Sequence, residues 1–330
     1  MSYKIWIAGI WGEPILKAVS GLMKQGNAEI LYNDFKAYEC LHRIYRFLNR
    51  RMWGKVGVQI IYHLLETPIL DARYKLSSCN FNAYQQNYVV VFNSALRHYY
   101  SKGYFERLKK RNSNIKIILY IIDPMPEGIW ERISKMLVCF DKVLTAHPYN
   151  SKRYGFDYFP YIYTRPSVAT LDLNPKADLF FCGVIDEYRY QIVCDILKSC
   201  KKNTVKYDMQ LFKTEKFKEI EDEDVHYGLI SYDENIERGI ESNCILEIVR
   251  KDFIGFTQRY FEAIVFDKKL LTNNPMIKEM PYYNSDYMYY FEKVDNIDWT
   301  WVKKVVDVDY QYSGEFEPEN WEKRMIEKIG

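Results

Sequence analysis

The stretch that decides the fold is residues 244–274, CILEIVRKDFIGFTQRYFEAIVFDKKLLTNN. An apolar run over residues 244–248 predicts a strand, and it leads through a glycine-containing loop to Thr257, a residue type that caps helix N-termini. The spacing of apolar residues then predicts a helix over 258–266 and a second strand over 269–272. A strand, loop, helix and strand in this order form the unit from which parallel α/β sheets are built.

The same alternation of short apolar and longer amphipathic runs extends along the chain. Further strands are predicted at residues 4–8, 88–93, 116–122, 142–145, 158–161, 179–184, 206–212 and 227–230. Further helices are predicted at residues 14–25, 35–52, 100–111, 129–137, 188–200, 235–241 and 318–329. The pattern restarts after a proline-containing loop near residue 170. We therefore expect an α/β protein with two Rossmann-like domains, residues 1–168 and 169–330, facing across a cleft. The predicted helix at 318–329 packs either within the second domain or back on the first.

The composition excludes several classes of protein. A net charge of +2 argues against a general nucleic-acid binder, which carries a strong basic excess. The seven cysteines are scattered without a CxxC pair, which is typical of free thiols rather than disulfides or a zinc site. The N-terminal residues lack the apolar core of a signal peptide, and no apolar run approaches the ~20 residues of a membrane span. We expect a cytoplasmic protein.

The start of the predicted helix at 258–266 has the chemistry of an anion site. Its free backbone N–H groups and the positive end of its dipole suit a diphosphate. Arg259 in the first turn adds a planar cation. Glu262, one turn further on the same face, has a carboxylate that can accept hydrogen bonds from ribose hydroxyls. The alternative is that Arg259 and Glu262, three residues apart, pair with each other on a structural helix.

This segment also resembles a known family. The sequence GFTQRYFEA at residues 255–263, followed by DKKLLTNN at 267–274, resembles the donor-binding segment of GT-B glycosyltransferases. The resemblance is closest to bacterial enzymes of capsular polysaccharide and lipopolysaccharide biosynthesis. Weaker similarity occurs in FDKVLT at 140–145, KRYGF at 152–156, YFPY at 158–161 and DLFFCG at 178–183. Together these matches cover roughly residues 140–290.

The resemblance implies that the second domain binds a nucleotide sugar and the first domain binds the acceptor. In the family, the residue matching Glu262 binds ribose and the loop before the helix meets the phosphates. Arg189, which follows the predicted strand at 179–184, can clamp the phosphates from the opposite side, or it can be an ordinary surface arginine at a helix start. The donor-site residues expected on these grounds are Gly183, Arg189, Glu247, Gly255, Thr257, Gln258, Arg259 and Glu262.

The acceptor side is less defined by the sequence. The turn containing Gly9 and Gly12 lacks the GxGxxG spacing of a dinucleotide site, which argues against a dehydrogenase. The resemblance implies that Gly12 lines the acceptor cleft, although a tight βα turn also explains this glycine. Asp123 and His147 follow predicted strands and are the candidate catalytic bases, and His98 is a further acceptor-side candidate. Asp123 before a proline is equally a turn residue, and retaining transfer needs no such base.

One predicted helix has the charge pattern of a membrane-contacting surface, whereas the sequence lacks the pattern of a metal site. The predicted helix at 35–52 carries Arg43, Arg46 and Arg50 at helical spacing, which fits docking on an anionic membrane or a solvated basic face. We expect no metal site, because His and Cys residues do not cluster and the pair Asp307 and Asp309 lies far from the predicted donor site in sequence. We also expect no cofactor.

The resemblance implies transfer of a sugar from a nucleotide-sugar donor to a glycan or lipid-linked acceptor in bacterial surface polysaccharide biosynthesis. Such a protein would work in the cytoplasm, with peripheral contact at the inner face of the membrane. Two alternatives stay open at this point. One is a non-catalytic nucleotide- or sugar-binding scaffold of the same fold, since fold does not guarantee activity. The other is a transferase of polyol phosphate from a cytidine nucleotide.

Overall fold

The computed structural model describes residues 2–10, 12–31, 71, 74–96, 100–122, 125, 130, 133–166, 175–213, 218–251 and 255–329. The chain divides into two compact units. The first unit consists of Met1–Thr164 with Glu315–Gly330, and the second consists of Arg165–Gly314. Each unit contains a six-stranded sheet in which all neighbouring strands pair in parallel.

The first sheet has the strand order β2-β1-β3-β4-β5-β6. Its strands are β1 Tyr3–Ala8, β2 Ala28–Ile30, β3 Gln86–Phe92, β4 Ile115–Ile121, β5 Lys142–Thr145 and β6 Asp157–Tyr158. Its helices are α1 Glu13–Lys24, α2 Asn93–Leu96, α3 Lys102–Arg111 and α4 Pro148–Tyr154. The runs YVVVF in β3 and IILYI in β4 are buried along their whole length, as expected for central parallel strands covered on both faces.

The second sheet has the strand order β12-β11-β10-β7-β8-β9. Its strands are β7 Ala177–Ile185, β8 Tyr207–Lys213, β9 Val225–Tyr227, β10 Ser242–Glu247, β11 Lys269–Thr272 and β12 Met288–Tyr290. Its helices are α5 Glu187–Lys202, α6 Tyr232–Ile240, α7 Gln258–Val265 and α8 Trp299–Lys303. From β7 the chain builds β8 and β9 on one side and then β10 to β12 on the other. The boundary between β7 and β10 is therefore the topological switch point, where open α/β sheets bind ligands.

The helices of the second unit start where side chains satisfy their free N–H groups. Asp186 caps α5, Ser231 caps α6 and Thr257 caps α7, each by accepting a hydrogen bond from a backbone N–H in the first turn. The N-cap at Thr257 and the helix that follows it confirm the sequence prediction for this segment. Residues 258–265 are largely buried, so α7 packs into the core.

The last helix, α9 Pro318–Ile329, belongs to the first unit. Trp321 is 1% exposed, its ring lies edge-on to Tyr120 and Phe159, and its indole N–H donates to the Pro160 carbonyl at 3.2 Å. A Cβ on Gly21 of α1 would lie 2.5 Å from the Pro318 ring, so α1 and α9 approach closely. The first unit is thus completed by residues from the far end of the chain.

Candidate functional site

A pocket lies at the switch point of the second sheet, beyond the carboxyl ends of β7 and β10 and beside the start of α7. Its volume is about 150 Å³. It is lined by Phe181, Cys182, Gly183, Arg189, Leu246, Glu247, Ile248, Thr257, Gln258 and Arg259. Six of the eight donor-site residues expected from the sequence line this pocket, and Gly255 and Glu262 do not.

Glu247, the last residue of β10, organises the start of α7. One carboxylate oxygen accepts from the Thr257 hydroxyl at 2.6 Å and from the Thr257 backbone N–H at 3.3 Å. The other accepts from the Thr272 hydroxyl at 2.5 Å, on the neighbouring strand β11. The side chain is 1% exposed. Burial raises the pKa of Glu247, although the two threonine hydroxyls oppose this rise.

Arg259 and Glu262 form a buried ion pair on α7. The Arg259 guanidinium donates to a Glu262 oxygen, to the Cys182 carbonyl at 2.9 Å and to the Asn235 side chain at 3.0 Å. Burial lowers the pKa of Arg259, but the negative charge of Glu262 outweighs this and the net pKa is raised. Glu262 is 3% exposed, and its other oxygen is 3.4 Å from the Tyr232 hydroxyl.

This arrangement places the two residues differently with respect to the pocket. Arg259 lines the pocket, whereas Glu262 lies behind it and fixes the guanidinium in position. The pairing of residues three apart, which was the alternative from the sequence, is present. Binding of ribose by Glu262 stays a prediction, and it requires the carboxylate to accept hydrogen bonds from Arg259 and from the ligand at the same time.

Arg189 lies in the first turn of α5 and lines the pocket on the side of that helix. Its backbone N–H donates to Asp186 at 2.9 Å, and one terminal nitrogen donates to the Val184 carbonyl at 3.0 Å. Its Nε atom is buried and has no hydrogen-bond partner among the described residues. Burial, followed by the nearby charge of Arg250, lowers the pKa of Arg189. A half-buried guanidinium with an unsatisfied, buried N–H beside a pocket favours an anionic ligand.

Two glycines shape the same region. A Cβ on Gly183 would lie 2.9 Å from the ring of Phe181 and would clash with it. The absence of a side chain therefore allows Phe181 to pack here and leaves space in the pocket. Gly255 is buried, and its carbonyl accepts from the Asn274 side chain at 2.7 Å. This bond ties the loop before α7 to the end of β11.

The acceptor-side residues expected from the sequence are only partly described. Gly12 caps α1 with φ of 84°, just beyond β1. His147 caps α4, is 1% exposed, and its backbone N–H donates to the Thr145 hydroxyl at 3.1 Å. The remaining candidates lie outside the described residues, so their roles stay predictions: Asp123, His98, Arg43, Arg46 and Arg50.

The structure also adds residues that the sequence reading missed. Asp186 and Arg250 stand beside the pocket, and Tyr232 and Asn235 of α6 contact the ion pair on α7. Only the strand assignments could have pointed to Arg250, because it follows a strand that ends at the switch point. Over the described part of the chain, three or more His, Cys, Asp or Glu side chains do not come together in a way that could hold a metal. A helix long and apolar enough to cross a membrane is likewise not found in those ranges.

Comparisons with known proteins show the fold. No protein-family model matches the sequence, and no curated protein sequence matches it. Among solved structures, the chain is similar to α,α-trehalose 6-phosphate synthase from Burkholderia multivorans, with TM-score 0.56 and 10% identity over 100% of this chain and 98% of that one. A glycosyltransferase from Rickettsia africae matches with TM-score 0.56 and 8% identity, over 99% and 97% of the two chains.

UDP-N-acetylglucosamine 2-epimerase from Rickettsia bellii matches with TM-score 0.51 and 13% identity, over 100% and 96%. Some other matching chains are longer, and this chain spans about half of their length. These likenesses confirm the fold class expected from the sequence, two Rossmann-like α/β units of the GT-B type. The same fold carries an epimerase and a glycosyltransferase, so the reaction must be argued from the site.

Proposed function

We propose that this chain is a glycosyltransferase that binds a nucleotide-sugar donor through its diphosphate at the β7/β10 pocket. The observation that carries the proposal is the cationic wall of that pocket. The half-buried Arg189 lines the pocket and has a buried Nε–H without a hydrogen-bond partner among the described residues, and Arg259 lines the same pocket from the start of α7. The capped N-terminus of α7 adds the positive end of a helix dipole.

The same groups suit the chemistry of sugar transfer. Breaking the bond between the sugar and the nucleotide diphosphate leaves negative charge on the diphosphate. Preorganised guanidinium groups and backbone N–H groups stabilise such developing charge without reorganising during the reaction. We assign this role to Arg189, Arg259 and the start of α7, without a divalent ion. Glu247 holds that start in place through Thr257.

The acceptor and the pathway are finer parts of the proposal. We assign the acceptor to the first unit, near Gly12 and His147, with Asp123 and His98 as further candidates. A glycan or lipid-linked acceptor of bacterial surface polysaccharide biosynthesis is supported by the sequence resemblance over residues 140–290. Arg43, Arg46 and Arg50 would then contact the anionic inner face of the membrane.

Nucleotide binding can be tested by thermal shift with UDP, GDP, CDP and ADP, because a ligand of the folded state raises its apparent stability. At a ligand concentration of about 100 Kd the stabilisation is about 2.7 kcal/mol. Arg189→Met, which keeps the apolar stem, should remove most of the shift, whereas Lys198→Met, 78% exposed on the same helix, should leave it unchanged. An unchanged shift in Arg189→Met would overturn the assignment of the pocket.

The role of Glu262 needs a conservative variant. Removal of its carboxylate leaves Arg259 buried without its partner, so Glu262→Ala would lower stability as well as binding. Glu262→Gln keeps an oxygen for Arg259 and a polar group for ribose, but it accepts fewer hydrogen bonds. If Glu262 binds ribose, this variant should lower the affinity for a nucleoside diphosphate more than it lowers the affinity for inorganic pyrophosphate. Equal weakening of both would assign Glu262 to positioning Arg259 alone.

Turnover separates the enzyme from a binding scaffold. A transferase should release nucleoside diphosphate from a labelled sugar nucleotide when a lipid-linked glycan acceptor is present. A scaffold should bind the same nucleotide without turnover. Transfer of a polyol phosphate would instead release a nucleoside monophosphate from a cytidine nucleotide, which chromatography of the products distinguishes.

A further inference from the structure

A third arginine lies near Arg189, next to the Asp186 carboxylate, and is not used by the proposed function. Arg250 lies three residues beyond the end of β10, close in sequence to Ile248, which lines the pocket. Its side chain is 58% exposed. Its Nε atom is 3.7 Å from one carboxylate oxygen of Asp186, while the other oxygen of Asp186 caps α5 through the Arg189 backbone N–H.

Two arginines, Arg189 and Arg250, lie near the single carboxylate of Asp186, so positive charge is in excess there. The guanidinium of Arg250 is close enough to Arg189 that, after burial, its charge is the next cause lowering the pKa of Arg189. Two cations that repel each other beside one pocket are stabilised by an anion that contacts both. Asp186 offers Arg250 one such anion, at a distance longer than a charge-assisted hydrogen bond.

The contact between Arg250 and Asp186 is therefore suited to exchange. Exposed ion pairs contribute little to stability, so losing this one costs the fold little. The N-cap role of Asp186 uses the other oxygen and the backbone of α5, so it does not depend on Arg250. Arg189, by contrast, is anchored to the Val184 carbonyl and cannot easily move.

We infer that Arg250 is a further phosphate-binding cation of this pocket, in addition to Arg189 and Arg259, and that the Asp186 carboxylate competes with the ligand for it. We expect a diphosphate to contact Arg189 with one phosphate group and Arg250 with the other, so that it makes more charge-assisted contacts than a single phosphate does. The inference rests on the proposed function and deepens it. It makes a linked pair of phosphates, rather than a monophosphate, the feature that the site selects.

The competition has an unusual consequence for mutation. Asp186→Asn removes the competing charge but keeps the cap, because Asn and Asp are equally good N-cap residues. This variant should bind inorganic pyrophosphate about three- to tenfold more tightly than the parent protein. Arg250→Ala should bind pyrophosphate about tenfold more weakly but inorganic phosphate less than about threefold more weakly. Isothermal titration calorimetry of both anions, at one fixed ionic strength, measures these changes.

A double-mutant cycle tests the competition itself. In the Arg250→Ala background, Asp186→Asn should no longer tighten pyrophosphate binding. If the gain persists there, Asp186 acts only through its general charge and the competition is overturned. Lys251→Ala is the matched control, since it removes a neighbouring exposed cation and should change binding less than about threefold.

Failure of this inference differs from failure of the proposed function. Suppose that Arg189→Met lowers the affinity for pyrophosphate and nucleoside diphosphates while Arg250→Ala does not. The assignment of the pocket is then retained and the role of Arg250 is overturned. If neither variant changes binding, or if the parent protein binds none of these anions, both are overturned. An equal loss of pyrophosphate affinity in Arg250→Ala and Lys251→Ala would also reject a specific contact between Arg250 and the phosphate.

Discussion

The two sheets have the same size and parallel build, but their carboxyl edges differ in chemistry. The edge of the second sheet brings Arg189, Glu247 and Arg259 together beside one pocket. At the edge of the first sheet, the buried polar side chains among the described residues carry amide, hydroxyl and imidazole groups: Asn93, Thr145, His147 and Asn150. A parallel α/β sheet thus supplies the same kind of edge twice, and the side chains placed there decide whether an anion or a neutral hydroxyl is favoured.

The largest effect should come from breaking the charged edge. Arg259→Ala leaves Glu262 buried, 3% exposed, without its cationic partner. Loss of one member of a buried ion pair typically costs about 3–5 kcal/mol. Urea unfolding should show this loss in the second unit. Lys198→Ala, whose pair with Asp195 is exposed, should change stability by less than about 0.5 kcal/mol. Similar values for the two variants would contradict a structural role for the pair.

A second test compares Gly12, which lies between β1 and α1, with Gly183, which lies near the end of β7. Gly183→Ala places a Cβ 2.9 Å from the Phe181 ring and against the pocket, so overpacking should cost about 1–3 kcal/mol and weaken nucleotide binding. Among the described residues, a Cβ on Gly12 would lie within 4 Å of Pro14 only, at 3.8 Å, but the φ of 84° at this position is strained for alanine. This strain should cost about 1 kcal/mol.

Calorimetric unfolding and nucleotide titration together distinguish the two glycines. Only Gly183→Ala should lose nucleotide affinity. Gly155→Asn is a control for backbone strain, since Gly155 has left-handed geometry that asparagine tolerates, and it should cost less than Gly12→Ala. Loss of nucleotide affinity in Gly12→Ala would remove the distinction between the two edges.

The smallest effect is a pH dependence. Burial raises the pKa of Glu247 above its ordinary value of 4.5, so the folded protein holds this proton more tightly than the unfolded chain. The stability from Glu247 is therefore complete below about pH 4.5 and falls as the pH rises through the raised pKa. Glu247→Gln does not titrate. The stability of the parent minus that of Glu247→Gln should fall between pH 4 and pH 8. Urea unfolding at both pH values measures it, and a constant or rising difference would contradict the raised pKa.

The local signals in the sequence predicted many strands of both sheets. The strands at 142–145 and 269–272 have the predicted bounds, because short apolar runs between charged residues mark them clearly. Strands β2 and β12 and helix α4 were missed. Each is short, and the two strands depend on pairing with a longer neighbour rather than on their own pattern. The predicted strand at 158–161 was too long, because pairing with β5 ends at Tyr158 and Pro160 has no N–H to donate.

The sequence brought together several residues that line one pocket, but donor binding there stays a prediction. The order of strand, loop and capped helix placed Thr257 and Arg259 at the pocket without any tertiary information. Spacing alone could not show whether Glu262 faces a ligand or Arg259, because both lie within reach of one helix turn. The placement of Arg250 beside Asp186 depends on the distance between β10 and α5, which no local pattern encodes.

The helix α9 has a consequence for how the protein is made. Trp321 fills the core beside Tyr120 and Phe159, yet it lies more than 150 residues after them in the sequence. During synthesis the second unit, residues 165–314, leaves the ribosome in full before this tryptophan does. The first unit therefore completes its core only after the second unit has been synthesised, and until then the apolar surface that Trp321 covers is exposed.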